Sequence, residues 1–170
     1  MKLIIGIIGI IGIIEILSVI FFTVAYGGTI TGNVPISTIV TSNCTLSSAS
    51  LDFGTYDPIS VNLSSPLDGL TTFQVACTKG ANVVITMNNG LYSANAQQTT
   101  RAMSNGTGGY LSYELYSNSG RSSVWSNMNP VSYVSTSSTV RTQTVYGRIQ
   151  AVQNRPAGNY TDTVTVTATF

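Results

Sequence analysis

The chain has 170 residues, of which 8% are charged, with a formal net charge of +1 and no histidine. So few Lys and Arg leave no clustered basic footprint, which sets nucleic acid aside as a partner. The missing histidine removes Ser-His-Asp and Cys-His catalysis and every His-containing zinc site; no metal, no cofactor and no enzymatic activity are expected.

Met1-Lys2 opens a long apolar run, Leu3 to Ala25, interrupted by Glu15 and followed by Tyr26-Gly27-Gly28. A basic start, an apolar stretch and small residues at its end read as a secretory signal peptide over residues 1–25, cleaved between 25 and 27. A retained transmembrane anchor is the competing reading, because about 20 apolar residues can span a bilayer. Glu15 counts against it, since a carboxylate near the bilayer centre is costly.

Beyond the run the chain is rich in Thr, Ser, Val, Gly and Asn, with short apolar alternations separated by turn clusters. Residues 29–40 place Ile30, Val34, Ile36 and Val40 on one face of an extended segment. Leu51 and Phe53 alternate before Gly54 and Asp57-Pro58 break the pattern. Phe73, Val75 and Cys77 are in register, as are Val83, Ile85 and Met87 after the Lys79-Gly80 turn. Tyr110–Tyr116 and Val140–Val152 predict two more strands, while residues 92–109 and 117–139 read as loops. The chain ends on Val164, Val166, Ala168 and Phe170 alternating with Thr161, Thr163, Thr165, Thr167 and Thr169, a strand pattern that needs a neighbour at its edge. No helical period appears, so an all-β sandwich is expected.

Cys44 and Cys77 are the only cysteines. Export to an oxidising compartment makes a disulfide between them the default, two buried free thiols being the alternative. Asp57 and Asp68 precede Pro58 and Gly69 and read as turn formers rather than a catalytic carboxylate pair; Asp52 reads as part of a solvated strand face. The Asn-X-Ser/Thr matches at Asn43, Asn62, Asn105 and Asn159 are assigned no role in a chain of this composition. Trp125 with Tyr110, Tyr113 and Tyr116 offers either a sugar-binding platform or ordinary core aromatics.

Together, "TITGNVPISTIV", "CTLSSASLDFGTYDP" from Cys44, "VACTKGANVVITMNNG" from Val75, "RAMSNGTGGYLSYELYSNSG" from Arg101 and "VYGRIQAVQNRPAGNYTDTVTVTATF" from Val145 resemble the spore coat protein U domain family over roughly residues 29–170. That family includes the Csu-type subunits of archaic chaperone-usher pili. The resemblance implies an incomplete immunoglobulin-like β-sandwich over 43–170, completed by a donor strand from the segment 26–42 of a neighbouring subunit. Ile30, Val34, Ile36 and Val40 would be the donor face, and Val164, Val166, Ala168 and Phe170 the acceptor edge. The implied partners are a periplasmic chaperone, an outer-membrane usher and neighbouring pilins. The implied place is the cell surface, and the implied role is attachment and biofilm formation. A surface glycan-binding module and a coat protein outside a pilus are the other readings. Pro35 stands out inside the donor segment, because it has no N–H to give to a ladder.

Overall fold

A computed structural model describes residues 27–170; the apolar run and Glu15 lie outside the described residues. Residues up to Thr38 and Ile39–Phe170 form separate units. Residues 27–43 carry no strand or helix, so the extended segment expected at 29–40 has no ladder here. The physical reason is that a strand exists only beside a partner.

The unit Ile39–Phe170 is an all-β, immunoglobulin-like sandwich. Its eight strands are β1 (Cys44–Leu46), β2 (Leu67–Cys77), β3 (Asn82–Met87), β4 (Arg101–Ser104), β5 (Tyr110–Tyr116), β6 (Val131–Val134), β7 (Arg141–Ile149) and β8 (Val166–Thr169). One sheet runs β1-β2-β7-β5-β4 and the other β6-β3-β8. Every pairing between these strands is antiparallel.

Strands β4 and β6 fall inside stretches whose Ser- and Asn-rich sequence reads as loop. Each is four residues long and so presents two side chains per face, too few for an alternation to emerge. Asp68 is also not in a turn. It lies within β2 opposite Arg148 of β7, which donates to it at 2.7 and 2.8 Å, while Arg121 stands 3.3 Å away.

The core gathers the expected inward residues of β2 and β3, Phe73, Val75, Cys77, Val83, Ile85 and Met87, with Leu111, Tyr113, Leu115, Val145 and Ile149 from β5 and β7. Trp125 belongs to this core. It is 1% exposed, packs 5.8 Å from Phe73 and donates its indole N–H to the Ile85 carbonyl at 2.9 Å. Tyr113 and Tyr116 are buried as well, so the sugar platform considered for these aromatics does not form. Cys44 and Cys77, opposite each other on β1 and β2, are disulfide-bonded. In the chain-entropy account, closing a loop of this length stabilises by about 3–4 kcal/mol.

A buried ion pair ties the two sheets. Arg101 of β4 and Glu114 of β5 are in contact and almost fully buried. Arg101 also donates to the carbonyls of Asn88, just past β3, and of Trp125. Glu114 accepts from the amide and hydroxyl of Thr100 and from the Leu115 amide. With both charges this well satisfied the pair is tolerable, but removing one partner leaves an uncompensated buried charge. Glu114→Ala should therefore lower stability by about 3–5 kcal/mol in urea unfolding, with Glu114→Gln losing less.

Acid stability has a separate source. The hydrogen bonds from Arg148 hold the Asp68 carboxyl below its usual range, helped by the charges of Arg121 and Arg148 and opposed by partial burial. A depressed carboxyl contributes stability that is present above its unfolded value of about 3.9 and is lost as pH falls through the folded value. Wild type should be the more stable protein at neutral pH, and its advantage over Asp68→Asn should shrink as unfolding is measured at successively lower pH, starting below about pH 4.

Candidate functional site

The two layers of the sandwich are unequal. The larger sheet offers an inner face wider than β6, β3 and β8 cover, and part of the difference is made up by the extended chain from Ser47 to Phe53. Its Leu51 and Phe53 are seated on a paired notch in the larger sheet, Gly69 of β2 opposite Gly147 of β7. A Cβ at Gly147 would stand 2.6 Å from both the Leu51 and the Phe53 side chains. Phe53 further meets Tyr113 edge-on, with ring centres 6.1 Å apart.

Between this chain and β8 the second layer is open. The gap is a groove of ≈ 510 Å³ whose walls are Leu46–Leu51 on one side and Tyr160–Val164 with Val166 on the other. Its floor includes Phe73, Tyr113, Leu115 and Val145 from the larger sheet and Met87 from β3. A trough lined by core side chains, with no strand laid across it, is an unpartnered apolar surface.

The wall formed by β8 has a free backbone edge. Among the described residues the strand lies at the end of its sheet and pairs only with β3. Thr165 turns its carbonyl and amide toward Asn88, accepting from the Asn88 amide at 3.1 Å and donating to its Oδ1 at 2.9 Å. In an antiparallel ladder the orientation alternates along the strand. The amides and carbonyls of Val164, Val166 and Ala168 therefore point to the open side. Their side chains are half-buried against the core, while Phe170 is 50% exposed beyond the end of the strand. Val164 and Val166 line the groove; Ala168 and Phe170 do not.

One end of the groove is polar. Asp162 shares parity with Val164 and Val166, so its carboxylate falls on the inward face of the same wall. Its Oδ2 accepts from the buried Tyr113 hydroxyl at 2.7 Å. Its Oδ1 accepts from the amides of Leu91 and Thr163, each at 2.8 Å. Burial, followed by the bond to Asp162, pushes the Tyr113 hydroxyl far above its ordinary value and keeps it a donor. Sequence reading missed Asp162, although its even position in the terminal alternation was the available signal.

The segment 27–43 carries exposed apolar residues of its own. Ile30 is 97% and Ile36 92% exposed, and Val34, Ile39 and Val40 are also open to solvent. Isolated exposed apolar residues are ordinary, but a run of them at alternating positions is a strand face without a sheet.

Such a geometry defines a class: an immunoglobulin-like sandwich with one strand position of its second layer vacant. The chain belongs to the Spore Coat Protein U domain family, which it matches over residues 30–167. It is 36% identical over 165 residues to "Protein U" of Myxococcus xanthus, covering 90% of this chain and 92% of that protein. Among solved structures it is similar to a chain of the CsuC–CsuE chaperone–tip adhesion subunit pre-assembly complex, from the archaic chaperone-usher Csu pili of Acinetobacter baumannii. That likeness has a TM-score of 0.56 at 25% identity, over 77% of this chain and 40% of the other, so the chain spans well under half the length of the solved one.

The rim of the groove tolerates little change at Gly90. Its φ of +76° is disfavoured for any other residue, and a Cβ there would lie 2.0 Å from Asp162 Oδ2. Gly90→Ala should displace Asp162 and cost at least about 1 kcal/mol in thermal unfolding, whereas Gly106→Ala, equally positive in φ but facing open space, should cost less.

Proposed function

We propose that this chain is a structural subunit of a surface pilus, assembled by a chaperone-usher pathway through donor-strand exchange. The observation that carries the reading is the pairing of defects in one molecule: a vacant strand position beside the free edge of β8, and an exposed apolar segment without a sheet. Each defect is of the kind the other repairs. Strand addition supplies backbone hydrogen bonds to an open edge, while alternate side chains of the incoming strand fill pockets. Family membership and the likeness to a subunit held by a chaperone in the Csu assembly support the same reading.

In this scheme the chain is exported behind residues 1–25, and a periplasmic chaperone first covers the groove. At an outer-membrane usher, the segment 26–42 of the next subunit then takes its place. Ile30, Val34, Ile36 and Val40 are the donor face, and Val164, Val166, Ala168 and Phe170 the acceptor edge. The fibre serves attachment and biofilm formation. A second reading, a coat protein outside a pilus, is favoured by the match to Protein U along nearly its whole length; surface protein recovered only as monomer would support it.

Ile36→Asp tests the donor role, because it would bring an unpaired carboxylate into an apolar groove at a cost of several kcal/mol. Thr31→Asp, on the opposite face of an extended strand, should be mild. Both variants should be taken up by the chaperone, since the change lies in the donor and not in the groove. Electron microscopy and unheated gels should then show fibres and ladders for Thr31→Asp and none for Ile36→Asp. Wild-type polymerisation of Ile36→Asp would sink the donor assignment.

A further inference from the structure

We propose that the Asp162 carboxylate fixes the register of the incoming strand by accepting a hydrogen bond from the Thr38 hydroxyl of the neighbouring subunit. The inference rests on the donor-strand reading above and adds to it which residue meets which.

A carboxylate has about four acceptor positions. Tyr113, Leu91 and Thr163 fill three of them at Asp162, two on Oδ1 and one on Oδ2. One position on Oδ2 is left, and Asp162 is among the residues that line the groove. An apolar side chain packed over it would bury an acceptor without a donor, which is unfavourable.

The donor segment offers one match. Between Ile30 and Val40 its even positions are Ile30, Gly32, Val34, Ile36, Thr38 and Val40, so Thr38 is the one polar side chain on that stretch of the apolar face. Let the segment run antiparallel to β8, as every strand pair of the sandwich does. Placing Thr38 opposite Asp162 then sets Ile36 opposite Val164, Val34 opposite Val166, Gly32 opposite Ala168 and Ile30 opposite Phe170. Apolar meets apolar, small meets small, and the two polar residues meet each other. Sliding by two residues in one direction brings Ile36 onto the carboxylate, and in the other Val40. Sliding by one turns the whole apolar face outward.

The same alignment accounts for Pro35. The open edge of β8 presents the backbone of its even residues, so the even residues of the donor carry the hydrogen bonds to it. Pro35 is odd, and its nitrogen is turned away from β8. The missing N–H is not required by that ladder.

Fibres sheared from producing cells test the register directly. Ile36→Cys combined with Val164→Cys should give a subunit ladder that survives heating without reductant and collapses with it, because directly opposed strand residues lie within disulfide reach. Ile36→Cys combined with Val166→Cys or with Asp162→Cys should give far less. A stronger ladder from either shifted pair overturns the register. Thr38→Val, which leaves the sandwich itself untouched, should lower fibre yield about tenfold, the effect expected for losing a hydrogen bond to a charged group. Thr38→Ser should restore it, and Thr38→Val fibres at wild-type level would overturn the role of the hydroxyl. The donor reading fails separately, by Ile36→Asp fibres forming normally. If Ile36→Asp blocks assembly while Thr38→Val does not, the donor stands and the register proposal falls.

Discussion

Backbone groups at the edge of a sheet must find partners, and inner faces of a sandwich must be covered. In this molecule both demands go unmet at one place. The larger sheet is five strands wide and the smaller three, and the extended chain around Leu51 and Phe53 covers only part of the shortfall. What is left is a trough whose floor is core side chains and whose wall is the open edge of β8. Three features of the domain lie around that trough. The disulfide anchors β1 at one flank, the Gly69–Gly147 notch seats the chain that forms the opposite wall to β8, and the Arg101–Glu114 pair, bonded to the carbonyl past β3, ties β4 and β5 to the smaller sheet.

Much of this was legible in the sequence because period-two alternation survives wherever an extended stretch is long and its inward face is apolar, as in Thr161–Phe170, which carries the four-residue β8. β2, β3, β5, β7 and the terminal strand all declare themselves that way, and the inward residues of β2 and β3 form the core they promise. Short strands hide. Arg101-Ala-Met-Ser104 looks like loop because its first residue is charged, yet Arg101 is fully buried and held by a carboxylate two strands' worth of sequence away. No local pattern reveals such a partner. Asp68-Gly69 looks like a turn for a similar reason: the glycine serves not a turn but the close approach of Leu51 and Phe53, and the aspartate serves a cross-strand ion pair.

The polar end of the groove shows how a one-residue detail escapes a face-by-face reading. The alternation of Val164, Val166 and Ala168 draws attention to hydrophobicity, and Asp162, two residues earlier on the same face, goes unnoticed. Its bonds to Tyr113 and to the Leu91 amide depend on residues 49 and 71 positions away in sequence, which only the folded chain brings together. The consequence is chemical. A purely apolar groove would accept an alternating apolar strand in several registers, whereas in the register proposed above the carboxylate would discriminate among them.

A comparison of the four sheet edges separates an accident of folding from a built opening. Natural sheets blunt their edges by shortness, Pro, charge or a covering segment. β1 is three residues long and disulfide-bonded to β2. β4 is bridged on its outer side by Thr161, with Ser104 and Thr161 exchanging amide-to-carbonyl bonds at 3.0 Å. β6 is four residues long and follows directly on Pro130. β8 is as short as β6 but lacks the other devices: from Thr161 to Phe170 the sequence carries no Pro, no Lys and no Arg, and the one charge, Asp162, is turned inward. An edge without Pro, outward charge or covering segment, placed beside a trough floored by core side chains, is the feature on which the proposed strand addition rests.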